Sequence, residues 1–175
     1  MKIEFGAGKS IAKGFVGCDI RPLKHIKYVC NCWEIDKHVP ENSVEEIYSR
    51  HMFEHLTFKQ GRLALESWRR VLKKGGRVHL LMPDLKFHVD EYIDYYNDRQ
   101  KIQKPNFTHA LAGFYGWQRE TEQSGIFTTD TDLWDVHKSG YDERSLWELV
   151  ESCGYNNFIR NINKVWHLDV TFFKE

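Results

Sequence analysis

The loop Glu4-Phe5-Gly6-Ala7-Gly8-Lys9-Ser10 follows directly on a short apolar-bearing run, Lys2 to Phe5, and a second strand-like run starts as early as Phe15. Glycines behind a strand let the backbone approach a ligand that a Cβ would block, which is how wound α/β sheets open a nucleotide site. The gap between Ser10 and Phe15 leaves no room for a full helix. A phosphate-binding P-loop would want glycine where Ile3 stands and a long helix after the serine, and neither is present. A dinucleotide site would want glycine where Ile11 stands and a helix N-terminus facing the pyrophosphate. The short connection therefore suits a ligand whose moiety at this loop carries no phosphate. A merely structural glycine turn is the plain alternative, because a lone glycine pattern is a weak signal.

The rest of the chain continues the α/β alternation. Phe15 to Asp19, Lys27 to Cys30 and Val44 to Tyr48 read as strands bounded by turn residues. Between Thr57 and Leu72 the apolar residues Phe58, Leu63, Leu65, Trp68, Val71 and Leu72 recur at helical spacing, and Lys73-Lys74-Gly75-Gly76 predicts the helix end. A buried strand is expected over Arg77 to Met82. Another helix should run from its N-cap Asp142 to Gly154, and two last strands are expected over Phe158 to Ile162 and Val165 to Phe173. The expected fold is α/β: a Rossmann-like, seven-stranded, mostly parallel sheet with helices on both faces, finished by an antiparallel hairpin. Residues 85–140 break the alternation. They hold helical patterns around Phe87, Tyr92, Ile93 and Tyr96 and around Leu111 and Phe114, then a Gly, Thr and Asp-rich stretch. An insertion after the fifth strand is expected to act as a lid or substrate-binding element.

With 175 residues, of which 41% are hydrophobic, the chain predicts one domain with one well-filled core. Lys plus Arg and Asp plus Glu each number 25, so no net field draws the chain to nucleic acid or an anionic membrane. A small-molecule or protein partner is the better expectation. Residues 1–6 hold no apolar signal core and no run approaches the ~20 apolar residues that cross a bilayer, which predicts a soluble, cytoplasmic protein. Cys18, Cys30, Cys32 and Cys153 lack the second close pair of a zinc site and are expected to be reduced, structural thiols.

Asp19, at the end of the second strand, stands where a carboxylate accepts hydrogen bonds from both hydroxyls of a ribose; its plain reading is a turn residue before Pro22. Asn31, past the third strand, can pair with an adenine edge, and Trp33 could cover the ring. Taken in order, Glu4-x-Gly6-x-Gly8, Gly17-x-Asp19, Asn42-Ser43-Val44-Glu45-Glu46-Ile47-Tyr48, His51-Met52-Phe53-Glu54-His55-Leu56 and Trp68-Arg69-Arg70-Val71-Leu72-Lys73-Lys74-Gly75-Gly76 resemble a class I S-adenosylmethionine-dependent methyltransferase. The resemblance is strongest to a small bacterial subgroup and extends to His137-Lys138-Ser139-Gly140-Tyr141. Ser10 in place of the third glycine and the near absence of the first helix are the departures. The resemblance implies S-adenosylmethionine as cofactor. Gly6 and Gly8 would pass under its methionine part, flanked by Phe5 and Ala7. Asp19 with Ile20 would lie at the ribose, Asn31 and Cys32 would border the adenine, and His51 would lie near the sulfonium.

His51-x-x-Glu54-His55 also matches the inverted zinc-protease signature, but directly behind a strand it lacks the helix that would set two histidines on one face. No metal is expected, and Glu54 and His55 are read as residues that orient the next helix. Methyl transfer asks chiefly for alignment and water exclusion, with a general base only for a hydroxyl or protonated amine. His51 and His137 are the candidate bases, His137 equally readable as a lid histidine that only hydrogen-bonds. Asp84, Tyr141 and Trp117 are candidate substrate-orienting groups. Phe114, Tyr115, Trp117 and Trp134 either stack on a flat or sugar-like acceptor or pack the insertion. A non-catalytic, cofactor-binding regulatory domain is the alternative function.

Overall fold

The computed structural model describes residues 1–97, 104–117, 136–162 and 165–175. Seven strands form one sheet: β1 Lys2–Phe5, β2 Val16–Asp19, β3 Ile26–Val29, β4 Val44–Arg50, β5 Leu72–Pro83, β6 Tyr155–Arg160 and β7 His167–Lys174, in the order β3-β2-β1-β4-β5-β7-β6. The pairs β1/β2, β2/β3, β1/β4 and β4/β5 are parallel, and β7 runs antiparallel to both β5 and β6. This is the expected mostly parallel α/β sheet with an antiparallel end. From β1 the chain winds outward to β2 and β3, then crosses back to β4 on the other side of β1. That reversal makes a switch point, and ligands of wound sheets bind just beyond the strand ends there.

Alternation along the strands sends Ile3, Phe5, Ile47, Val78, Leu80, Val170 and Phe172 to one face, where all are buried. Helix α1 (Phe58–Val71) lies on that face. Its Trp68 stacks on Phe5 with ring centroids 4.7 Å apart and donates its indole N–H to the Cys32 carbonyl at 3.0 Å. The other face of the same strands is polar. Glu46 pairs there with Lys2 and Arg77, and His79 pairs with the buried Asp169.

Thr57 starts α1 through a capping box: its hydroxyl accepts from the Gln60 N–H while the Gln60 side chain accepts from the Thr57 N–H. Thr57→Ala leaves the Gln60 N–H without its acceptor and is expected to cost about 1 kcal/mol in urea denaturation. The helix ends at Val71, before the two lysines from which the sequence predicts its end, with Arg69 and Arg70 as the cations of the last turn. Leu72 leaves the helix because it pairs with Val44 and already belongs to β5. Lys73 and Lys74 therefore lie in the strand, and Gly75, at φ +74°, turns the chain through the register shift that separates the Val44–Leu72 pair from the Glu46–Arg77 pair.

Helix α4 (Glu143–Ser152) starts at Asp142 as expected, in a capping box with Ser145, but its C-cap is Cys153, one residue before Gly154. Strand β6 starts at Tyr155, earlier than its apolar residues suggest, and β7 starts at His167. In the insertion, α2 (Leu85–Asn97) and α3 (Lys104–Tyr115) form where helical spacing predicts them, and Tyr92 and Tyr95 meet Phe107 between them. The Gly, Thr and Asp-rich stretch of the insertion and Trp134 lie outside the described residues. No helix among the described residues is long and apolar enough to cross a membrane.

Candidate active site

The glycine loop sits at the switch point. Gly6 and Gly8 have φ of +65° and +59°, which L side chains rarely adopt. The turn they allow lets the Gly6 N–H donate to the Cys18 carbonyl at 2.9 Å and the Gly8 N–H donate to Asp19 Oδ2 at 2.9 Å. Instead of a first helix, residues between β1 and β2 form a loop held by the buried Glu4 carboxylate, which accepts from the Ala12 N–H. A Cβ on Gly6 would come within 2.5 Å of the Met52 side chain, so the segment after β4 lies directly against the loop after β1. Gly6→Ala is expected to lose about 1–2 kcal/mol of stability from its φ alone, read by denaturant unfolding, and to weaken cofactor binding through the displacement of Met52.

Asp19 is 5% exposed, and both its oxygens are engaged. Arg21 grips the carboxylate from two nitrogens, Nε to Oδ1 and the terminal nitrogen to Oδ2, each at 3.0 Å, and its backbone N–H donates to Oδ1. Burial pushes the Asp19 carboxyl up, but the Arg21 side chain and the Arg21 and Gly8 N–H groups outweigh it and hold the carboxyl below its ordinary value. The stability linked to this group is present above the unfolded carboxylate pKa and is lost as pH falls through the lower folded one, so the loop stays anchored at neutral pH. Sequence reasoning missed Arg21. A guanidinium two residues after a strand-end acid was the available signal.

Ile20, beside Asp19, is exposed. Asn31 donates its side-chain N–H to Glu34 at 2.7 Å. Cys32 is buried, and burial pushes its thiol up to about 12. All four cysteines are free thiols, with Cys18 and Cys30 sulfurs 3.7 Å apart across β2 and β3.

The residues after β4 form a tight turn. His51 has φ +49°, and its Nδ1 lies 3.4 Å from the carboxylate of the buried Glu54. Phe53 to His55 make one 3-10 turn, so His51 and His55 do not share a helix face and the protease signature lacks its scaffold. His55 pairs with distant backbone, its Nδ1 3.1 Å from the Val136 carbonyl, and the start of α1 is set by Thr57 instead of Glu54. His137 is brought beside His55, ring centroids 5.1 Å apart, and its Nδ1 lies 2.9 Å from the Gly113 carbonyl. The Glu54 carbonyl accepts the N–H groups of Lys138 and Ser139, docking this late segment on the turn.

The three substrate candidates are separated. Asp84 is buried, accepts from Arg160 and from the Lys86 N–H, and anchors the start of α2. Tyr141 is buried in the core against Phe53 and Phe58. Trp117 is exposed and is linked to His51 through a chain of rings: His51 to His167, His167 to Trp166, Trp166 to His109 and His109 to Trp117. Sequence reasoning took Trp166 and His167 for ordinary residues of the last strand and missed this aromatic wall.

The family model of the methyltransferase domain matches residues 13–80. No curated relative matches the sequence. Among solved structures, the chain is similar to a possible exported protein of Bordetella parapertussis, with 11% identity, a TM-score of 0.60 and 99% of this chain aligned to 61% of that one. It thus spans less than two thirds of that protein. It is also similar to a SAM-dependent methyltransferase of Archaeoglobus fulgidus, with 11% identity, a TM-score of 0.59 and 99% of this chain aligned to 85% of that one. A third similar structure is a possible histamine N-methyltransferase of Thermotoga maritima, with 12% identity, a TM-score of 0.58 and 99% of this chain aligned to 82% of that one. The match to the methyltransferase-domain model is confined to the stretch from just before β2 into β5, and the solved structures share this chain's fold.

Proposed function

We propose that the chain transfers a methyl group from S-adenosylmethionine to a small-molecule or sugar-like acceptor. The observation that carries this reading is the convergence of Gly6, Gly8, Asp19 and Met52 at the switch point, where positive-φ glycines open the backbone beside a buried acid. The donor set fits the cofactor. The backbone from Phe5 to Gly8 cradles the methionine part, Asp19 and Ile20 meet the ribose, and Asn31 and Cys32 border the adenine. For this, the Arg21 side chain, which is 30% exposed, would swing from Asp19 into solvent, and Asp19 would accept from the ribose hydroxyls in place of the guanidinium.

When bound, the cofactor supplies an activated methyl whose leaving group is a neutral thioether. The residues of this chain align the acceptor and take its proton. His51, 42% exposed on its side chain and oriented through Nδ1 by Glu54, is the base, with His137 as a second proton acceptor when its Nε2 holds no ion. Trp117 contacts the acceptor, while Asp84 and Tyr141 position the insertion around it. The Arg21–Asp19 pair favours one rival reading, a non-catalytic domain of the same fold, because the ribose anchor is already engaged.

Incubation with methyl-labelled cofactor and a panel of hydroxyl, amine and carboxylate acceptors decides between them. Label transfer with stoichiometric S-adenosylhomocysteine supports the enzyme, and His51→Ala should slow transfer to hydroxyls about 100-fold. Tight cofactor binding with no transfer to any acceptor supports the rival.

A further inference from the structure

We infer that Glu54, His55 and His137 form a site for a divalent transition-metal ion of the zinc class. Each offers one ligand atom, and these atoms lie within 4.8 Å of one another. Ligands on ~2.1 Å bonds to a tetrahedral ion stand about 3.4 Å apart, so the atoms must close by at most about 1.4 Å, a shift within the reach of side-chain rotation.

Two independent features point to an ion at this cluster. The first is Glu54 itself. The residue is 2% exposed, and its Oε2 has no hydrogen-bond partner among the described residues, while Oε1 faces His51. A buried carboxylate oxygen left without a donor is costly, and a cation supplies the missing partner. The second is the tautomer of both histidines. A carbonyl oxygen only accepts, so His55 Nδ1 donates to Val136 and His137 Nδ1 donates to Gly113. Each ring therefore carries its lone pair on Nε2, and a backbone carbonyl holding Nδ1–H is the support that orients metal-binding imidazoles.

The other histidine cluster of the described residues lacks the first feature. In His88, Glu91 and His109 the carboxylate is already taken, with Glu91 oxygens 2.9 Å and 3.1 Å from His109 Nδ1 and 3.4 Å from His88 Nδ1. The Glu54 site also differs from the protease pattern in the sequence. His51 is not a ligand here, and the third ligand comes from the segment docked on the Glu54 carbonyl. Two imidazoles and one carboxylate leave coordination positions open for water or an acceptor heteroatom, as in catalytic rather than structural sites.

The test needs neither methyl donor nor acceptor. Purified, chelator-treated protein is titrated with cobalt(II) and zinc(II), followed by cobalt absorption and calorimetry. Stoichiometric 1:1 binding is expected, with a visible cobalt spectrum of imidazole and oxygen ligation that zinc abolishes. Glu54→Gln and His137→Ala should each weaken zinc at least 100-fold, and His109→Ala should leave it unchanged. If Glu54→Gln fails to fold, His137→Ala and His55→Ala carry the same expectation. No binding by the wild type, equal binding by folded Glu54→Gln or His137→Ala, or loss of binding in His109→Ala alone would overturn the assignment.

Discussion

Trp68→Ala is expected to destabilise the protein by about 3–5 kcal/mol, seen as a fall of about 6–20 °C in the unfolding temperature. Trp68 is fully buried, stacks on Phe5 and meets Phe53, so its removal opens a large cavity under β1 and the turn after β4. It also strips the Cys32 carbonyl of its donor. Trp68→Phe separates these effects. It keeps most of the ring packing and should cost about 1–3 kcal/mol, the penalty of a buried carbonyl left without a hydrogen bond. Because Phe5 and Cys32 both border the proposed cofactor site, Trp68→Phe should also raise the cofactor dissociation constant, and an unchanged constant would uncouple this packing from the site.

The second large effect is expected at Asp19. Asp19→Ala would remove the two charge-accepted hydrogen bonds proposed to the ribose, each worth roughly 1.5–3 kcal/mol, so cofactor affinity should drop at least ~100-fold in a calorimetric titration. It also frees the Gly8 N–H that sets the loop. Arg21→Ala is the informative partner. Asp19 then keeps its bond to Gly8 but no longer answers to the guanidinium, so binding should be as tight as in the wild type or tighter. Weaker binding in Arg21→Ala would make Arg21 part of the cofactor site instead of its competitor.

The contrast between these two residues marks what a single sequence discloses. Asp19 stands out in the sequence because a strand-end acid following a glycine loop has a known chemical use. Its occupation by Arg21 does not, since an ion pair two residues apart depends on how the turn after β2 bends. Likewise the helical spacing from Phe58 to Val71 placed α1, but its end is decided by Leu72 pairing with Val44, a contact between distant segments that local spacing does not encode. The separation of the substrate candidates follows the same rule. Tyr141 and Asp84 read as polar groups free to meet a ligand, yet α1 covers the first and Arg160 holds the second. The pairing of His55 with His137 was equally hidden, because it arises only when the late segment docks on Glu54.

The cofactor is proposed to lie over the loop from Phe5 to Gly8 and against Asp19. Backbone amide NMR during titration of the 15N-labelled wild type with S-adenosylmethionine tests it most directly. Saturable shifts are expected, concentrated at Gly6, Gly8, Asp19, Ile20, Asn31 and His51, with the amides of β6 and α4 unmoved. Saturation without shifts at Gly6, Gly8 and Asp19, or no saturation at all, would contradict it.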